Sequence, residues 1–257
     1  MKKRIKYKLI SGISFFIFLL IWELVTDVLK IFPPYSLPSP VRVFGSFVEK
    51  LSSTAPDGSI LIDHIMMSLY IAFLGFLSGS IIGVPLGIIM AWNHKIELMI
   101  KPIFDLLRTI PPIGWIPIMI LLLGIGTPAK VAVIFVASFI PCVINSYSGI
   151  KQTNPIHLWI GQTFGATNRQ LLFMVAIPSA LPFIFTGLKV SMNVAWMCLV
   201  AAELLAATKG LGYMIQIART IGRADIIVVG MLTIGALGSL IAAGLEYLEH
   251  RFVKGVA

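Results

Sequence analysis

The sequence predicts an all-α integral membrane protein with about six transmembrane helices. Of its 257 residues, 58% are hydrophobic and only 12% are charged, and the mean hydropathy is +0.95. A soluble domain has about 45–50% apolar and about 25% charged residues, so this chain has too few charges to cover a surface in water. Because a spanning helix needs about 20 mostly apolar residues, the length allows about five to seven spans and no large soluble domain.

The distribution of charge indicates how the chain lies in the membrane. The net charge is +9, and five of the 20 basic residues fall within positions 1–8. Lys and Arg concentrate on the cytoplasmic side of membrane proteins, so residues 1–8 are predicted to form a basic cytoplasmic tail and residues 9–257 a single transmembrane domain. An even number of spans places both termini in the cytoplasm. Because topology explains the positive charge, we expect no nucleic-acid partner.

Six apolar segments are predicted to cross the lipid bilayer. A proline-rich connector at residues 33–40 and an amphipathic stretch that runs to Leu51 follow the first segment. Because proline removes backbone donors, these pieces are expected to lie at the interface rather than to cross. The predicted spans are residues 9–29, 65–92, 106–123, 129–150, 181–207 and 226–247, and the third is interrupted by the prolines at 111, 112 and 117.

Four glycines recur at every fourth position of the second predicted span. Residues at this spacing share one side of a helix, where small side chains allow another helix to come close. Glycine is common in membrane helices in general, but four in register favour a helix-packing face. The glycines are Gly75, Gly79, Gly83 and Gly87.

Little in the sequence could support chemistry. Cys142 and Cys198 lie in apolar runs, which is typical of free buried thiols rather than of a disulfide or a metal site. No glycine-rich phosphate loop ending in Gly-Lys-Ser/Thr occurs, so the chain is not expected to bind ATP. No His-Glu-x-x-His run occurs either, and no metal is expected. The histidines lie at predicted span ends or in loops, where we expect solvation at the interface: His64, His94, His157 and His250.

Residues 151–178, between the fourth and fifth predicted spans, are too polar and too interrupted to cross. An Asn-Pro pair at 154–155 is typical of a helix start, and Gly165 is typical of a helix end. Residues 167–170 fit a capping box that begins a second helix, which is expected to weaken by Pro178. The segment is therefore predicted to form helix, glycine turn and helix on the cytoplasmic side.

The first of these short helices carries apolar residues on its outward side. An ordinary interfacial loop would fit the residue pattern equally well. An apolar cytoplasmic surface that does not enter lipid is, however, expected to dock onto another protein. The residues concerned are Ile156, Trp159, Ile160 and Phe164.

The run from Gly165 through nine residues to Val175-Ala-Ile-Pro178 resembles the cytoplasmic loop of ABC importer permeases. That loop reads Glu-Ala-Ala, three residues, Gly, nine residues, Ile, one residue, Leu-Pro; here the triplet is replaced by Trp159, Ile160 and Gly161. Further motifs, in the same order and spacing, are similar to the nitrate/sulfonate/taurine branch of these permeases. They are Leu37-Pro-Ser-Pro40, Ile110-Pro-Pro-Ile-Gly-Trp-Ile-Pro117, Leu123-Gly-Ile-Gly126 and Ala201-Ala-Glu-Leu-Leu-Ala-Ala-Thr-Lys-Gly-Leu-Gly-Tyr213.

The resemblance implies a multi-pass permease subunit in the bacterial inner membrane, working as a homodimer with two cytoplasmic ATP-binding subunits and an extracytoplasmic solute-binding protein. ATP is then bound by the partner, and this chain is not an enzyme. The branch handles small anions such as nitrate, sulfonates and taurine, while relatives carry other solutes, including vitamin precursors. By the same resemblance, the residues that couple to the ATPase are Trp159, Ile160, Gly161, Gly165, Ala166, Val175 and Pro178.

The fifth predicted span carries a polar stripe. At 100° per residue, Lys189 and Glu203 lie about 40° apart on the helix. Asn193 and Trp196 come between them in sequence and lie within about 40° of Lys189. Charges inside spans usually face a partner or a water-filled path, so these four residues are predicted to line the translocation path. The alternative is that the two charges lie at opposite interfaces.

Two other classes of protein would also be hydrophobic. An ion-coupled secondary transporter usually shows inverted repeats and ionisable groups near the midplane, and an intramembrane enzyme needs a cluster of nucleophile, base or metal ligands. Neither pattern is clear in this sequence. The resemblance described above therefore decides the interpretation, and it implies an ABC importer permease that conducts its solute by alternating access.

Overall fold

The computed structural model describes the backbone of residues 2–253 and, except at residues 2–9, 11, 15, 206 and 253, their side chains. Throughout this range the regular elements are helices, which confirms the all-α fold class. The predicted basic tail comprises residues 1–8. Met1 and the side chains of residues 2–8 lie outside the described part of the structure. The role of the tail, and the single-domain reading of residues 9–257, stay predictions.

Eleven α-helices follow one another in the described part of the chain. Short π-helical turns at Leu24–Val28 and Leu172–Ala176 and a 3₁₀ turn at Pro112–Trp115 lie between some of them. The helices are α1 (Lys2–Glu23), α2 (Pro40–Ser52), α3 (Leu61–Trp92), α4 (His94–Leu107), α5 (Ile116–Leu123), α6 (Thr127–Lys151), α7 (Pro155–Thr163), α8 (Asn168–Leu171), α9 (Ile177–Ala206), α10 (Leu211–Thr220) and α11 (Ala224–Val253).

Four segments of the described chain are long and apolar enough to span a membrane. They are Leu61–Trp92, Thr127–Lys151, Asn168–Leu205 and Ala224–Phe252, and a fifth candidate is the pair α4 with residues 112–123, which is bent by 84°. The predicted span at 9–29 coincides with α1 and its π turn, some of whose side chains are outside the described set. The total of six spans therefore stays a prediction.

The structure refines two predicted spans. Residues 106–123 are interrupted at the proline pair, as predicted: α4 ends at Leu107, and residues 111–112 lead into a 3₁₀ turn before the eight-residue α5. The fifth span begins before residue 181, because helical structure continues from Asn168 through the π turn into α9. Proline has no N–H to donate, and the wider π turn directly before Pro178 accommodates it without ending the helix.

The chain divides into two compact units. One comprises the residues up to 65 together with 209–235, and the other comprises residues 66–208 together with those from 236 onward. In the second unit α6 packs against α9, and the buried Val133 and Ala137 of α6 lie in one cluster with Cys198 of α9. Both cysteines are free and buried, as predicted.

The four glycines of α3 lie against α6 within the second unit. A Cβ built on Gly75 would lie 2.5 Å from Ile134 Cγ2, and one on Gly87 would lie 2.5 Å from the carbonyl oxygen of Val143. For Gly79 the corresponding distance to Ser138 Cβ is 2.7 Å. These spacings leave no room for a side chain, so the two helix backbones approach as closely as glycine allows.

The first unit joins segments that are distant in sequence. On α2, Ser46 Oγ donates to Asp225 Oδ2 at 2.5 Å, and Glu49 lies 3.6 Å from the Arg223 guanidinium. Hydrogen bonds to Asp225 raise the pKa of the Arg223 guanidinium further, so its charge is permanent. These contacts connect α2 to the start of α11 within the first unit.

Candidate functional site

The candidate coupling segment has the helix, glycine turn and helix that its sequence predicts. Asn154 Oδ1 accepts from the backbone N–H of Ile156 at 2.9 Å, and Pro155 occupies the first helical position. Because the side chain satisfies one of the free N–H groups of the first turn, it fixes where α7 begins.

Gly165 ends α7 in a left-handed conformation, with φ of +78°. Its N–H donates to the carbonyl of Gln162 at 2.9 Å, and the N–H of Ala166 donates to the carbonyl of Gly161 at 3.0 Å. This pair of bonds is the Schellman motif. A β-branched residue adopts the left-handed conformation only with strain, so the turn depends on glycine.

The second short helix starts from the predicted capping box. Thr167 Oγ1 accepts from the Gln170 N–H at 3.4 Å, and Gln170 Oε1 accepts from the Thr167 N–H at 2.8 Å. The two short helices also touch, because a Cβ on Gly161 would lie 2.6 Å from Cδ2 of the buried Leu171. The turn is therefore held by both backbone bonds and packing.

The outward side of the coupling segment is apolar and exposed. Trp159 is 63% exposed and Phe164 is 87% exposed, and Ile156 and Ile160 are exposed by half or more. Gly161, Ala166, Val175 and Pro178 are half-buried, while Gly165 is exposed. Lys151, just before α7, donates to Glu97 of α4 at 2.8 Å, which anchors the base of the segment.

The polar stripe of α9 is spread over different environments within the second unit. Lys189 Nζ lies 2.6 Å from Glu249 Oε2 of α11, and Asn193 is exposed. Trp196 is buried, and a Cβ on Gly238 would lie 3.1 Å from its Nε1. Glu203 is buried and accepts from Ser68 Oγ at 2.8 Å and 3.0 Å through its two carboxylate oxygens.

Several partners of the stripe were not recognised in the sequence. Glu249 and Ser68 lie 60 and 135 residues from the groups they bind, so local pattern carries no sign of them. Lys130, at the start of the predicted span 129–150, is 3% exposed near the start of α6 and interacts electrostatically with Glu203. A lysine next to a Gly-Thr-Pro turn has no local feature that distinguishes it from a solvated one.

The prediction that all four histidines are solvated is wrong for His64. Its side chain is 0% exposed, because the loop before α3 and the residues before α10 close over it. Within the described residues, no group of three or more His, Cys, Asp or Glu side chains is arranged to hold a metal ion.

The long apolar helices and the exposed helix-turn-helix at residues 151–178 are the features of a membrane permease subunit. The model of the family described as binding-protein-dependent transport system inner membrane component matches residues 83–255. The chain belongs to this family.

Relatives and solved structures agree with this assignment. The chain is 35% identical over 233 residues to a putative ABC transporter permease of Methanocaldococcus jannaschii, covering 90% of this chain and 86% of that protein. It is 34% identical over 239 residues to the taurine transport system permease protein TauC of Escherichia coli, with coverage of 91% and 85%. A chain of the MetNI methionine ABC transporter shares the fold at a TM-score of 0.63 and 20% identity, covering 77% of this chain and 96% of that chain.

Proposed function

We propose that two copies of this chain form the transmembrane path of an importer for a small anionic solute, and that two separate ATP-binding subunits drive it by closing on residues 151–178. The solute is delivered by an extracytoplasmic binding protein, and both termini of the chain lie in the cytoplasm. ATP chemistry belongs to the partner, and this chain supplies coupling and conduit by alternating access.

The observation that carries the proposal is the exposed apolar surface of α7. Four large apolar side chains on so short a helix would be costly in water, where burial of apolar area is worth about 25 cal/mol per Å². A protein partner that covers Trp159 and Phe164 removes that cost. The ATP-binding subunit is the partner that an importer permease requires at its cytoplasmic side.

The internal construction of the segment supports transmission of movement. The Schellman turn and the capping box fix α7 relative to α8. From Asn168 the backbone stays helical through the π turn and along α9 to Leu205. A displacement of α7 by the ATPase is therefore passed directly to the span that carries the polar stripe.

The four stripe residues have different roles in the wall of the proposed path. Asn193 is exposed and Lys189 is one-third exposed, which supports solute contact at these two positions. Because Lys189 pairs with Glu249 at 2.6 Å, an anionic solute would compete with this carboxylate for the ammonium group. Trp196 and Glu203 are buried within this chain, so on the same proposal they shape the wall behind it. An open apolar groove of about 540 Å³ between α3, α9 and α11 supports contact with the second copy of the chain.

The names of relatives support the substrate class. Besides taurine, aliphatic sulfonates and bicarbonate are named for relatives from Bacillus subtilis and Synechocystis, and all three carry an anionic group. A relative from Halalkalibacterium halodurans is named for formylaminopyrimidine, so a vitamin precursor is the second candidate. Ligand binding to the extracytoplasmic partner decides between a sulfonate and a pyrimidine.

The coupling role is tested by substitution at the glycine turn. Gly165→Val should abolish ATP-driven uptake at unchanged membrane abundance, because a β-branched residue does not adopt φ of +78°. Gly165→Asn should retain uptake, since asparagine tolerates the left-handed conformation. Gly124, with φ of +76°, is the matched control in another turn: Gly124→Val should leave co-purification of the ATPase intact. Normal uptake by Gly165→Val would show that the segment is a passive connector.

A further inference from the structure

Three titratable side chains are buried together in the first unit. Lys50, Asp57 and His64 are each 2% exposed or less. Lys50 Nζ donates to the carbonyls of Ala55 at 3.0 Å and Ser59 at 2.6 Å, and it also pairs with Asp57 Oδ1. The lysine is therefore fully engaged in folding the connection between α2 and α3, and His64 occupies the other side of Asp57.

The two nitrogens of His64 have different surroundings. Nδ1 accepts from the backbone N–H of Gly210 at 3.0 Å. Nε2 lies 3.2 Å from Asp57 Oδ2, but neither of these buried atoms has a hydrogen-bond partner among the described residues. A nitrogen that accepts a hydrogen bond carries no proton, so the contact with the Gly210 N–H requires an unprotonated Nδ1 and a neutral imidazole.

Gly210 sets the position of α10. It has φ of +135°, and its carbonyl accepts the first helical bond from the Met214 N–H at 3.0 Å. Leu211 and Met214 of α10 are buried, and a Cβ on Gly230 of α11 would lie 2.6 Å from Ile215. The contact from His64 thus fixes the residue from which a tightly packed helix starts.

We infer that His64 is a positioning residue of the transporter, which holds the Gly210 turn and the start of α10 in place only while its ring is neutral. Protonation of Nδ1 removes the acceptor for the Gly210 N–H and places a proton where that N–H now points. In the closed turn, the Gly210 N–H occupies Nδ1 and the nitrogen cannot bind this proton. In an open turn, in which that hydrogen bond is broken, Nδ1 can bind it, so acid favours opening. This step rests on the orientation proposed above, with both termini in the cytoplasm, which places the start of α10 on the external side and exposes it to the pH there.

The other charged groups around His64 define what else could titrate. Lys50 faces it from α2 and Asp57 from the loop, as described. Asp63, its neighbour on α3, pairs with Lys209 at 3.2 Å on the surface, and the ring of Tyr213 on α10 lies 6.5 Å from the imidazole. Of these side chains, histidine has the ordinary pKa closest to neutral, at about 6.5.

The test is hydrogen exchange of the full chain, in the complete transporter in lipid nanodiscs, measured on peptides that cover residues 207–214. Protection is corrected for the intrinsic effect of pH on exchange and compared at about pH 8 and about pH 5, the range in which histidine changes charge. Uptake of one proton on opening lowers protection by up to about tenfold per pH unit below about 6.5. The wild type should therefore lose protection in this segment at acid pH.

Two substitutions separate positioning from mere packing. His64→Asn places an amide oxygen at the position of Nδ1 and cannot titrate, so protection should stay high at both pH values. His64→Gln moves the amide one bond further, away from the Gly210 N–H, so protection should be low at both. Asp63→Asn, which breaks the surface pair with Lys209, should leave the pH response unchanged. Equal wild-type protection at both pH values, or a pH response that survives in His64→Asn, would overturn the inference; the wild-type profile decides even if a variant does not fold.

Discussion

The close packing of α3 on α6 makes a quantitative prediction for Gly79→Ala. The added Cβ would lie 2.7 Å from Ser138 Cβ and 2.8 Å from the carbonyl oxygen of Phe135. Ordinary contact begins at 3.4 Å, so the helices must separate by about 0.7 Å or distort. One of the opposing atoms belongs to the backbone, which cannot rotate away as a flexible side chain could.

Overpacking of this kind costs about 1–3 kcal/mol in folding free energy, and separation of the helices also weakens the contacts made by the neighbouring glycines. Gly79→Leu should cost more and reduce the amount of folded protein. The change is measured by thermal unfolding of the detergent-solubilised chain. The readout is the fraction of protein that still elutes as a monodisperse peak after heating.

Two controls isolate the helix contact. Gly244→Ala adds the same atom to a membrane helix at a position where nothing lies within 4 Å, so its unfolding temperature should equal or exceed that of the parent. Leu74→Ala removes a side chain that is 42% exposed next to the glycine face and should have a small effect. An unfolding temperature for Gly79→Ala equal to that of Gly244→Ala would refute the reasoning.

Three further outcomes follow from the stripe of α9. Lys189→Ala and Glu249→Ala should each lower stability, and the double variant should fall short of their sum by about 0.5–1 kcal/mol, because the pair is partly screened by solvent; strict additivity would contradict the pairing. A cysteine at position 193, in a background lacking the two native cysteines, should react with a small membrane-impermeant thiol reagent, while one at position 196 should react only after a nucleotide-driven change; the reverse order would refute the wall assignment. Ser68→Ala should cost about 1–3 kcal/mol, because it removes a donor from a buried carboxylate, and unchanged thermal unfolding would contradict this role.

Features fixed by neighbouring residues could be predicted from the sequence. The start of α7 at Asn154, its end at Gly165 and the capping box at Thr167 each depend on hydrogen bonds within a few residues. The periodicity of the four glycines likewise indicated a packing face, although not that α6 would cover it. Overall hydrophobicity was sufficient for the fold class.

Features that depend on distant residues could not be predicted in this way. His64 is buried because Asp57 and Gly210 come together around it only when the first unit folds. Gly210 is 146 residues away from it in sequence. That Glu203 lines the path stays a prediction, and its hydrogen bond with Ser68, 135 residues away, leaves no sign in the local sequence pattern. The π turn before Pro178 shows a further limit, since a proline can be accommodated by one wider turn instead of ending the helix.

The central claim is that this chain is a conduit and coupler whose energy comes from a separate ATP-binding subunit. Reconstitution into proteoliposomes tests it directly: the chain alone, the chain with its ATP-binding partner, and both with the extracytoplasmic binding protein, each supplied with taurine and ATP on the appropriate sides. The account predicts no ATP hydrolysis and no uptake for the chain alone, and binding-protein-stimulated hydrolysis with uptake of an anionic solute for the complete set. ATP hydrolysis or solute uptake driven by the chain alone, or by an ion gradient without the partner, would contradict it.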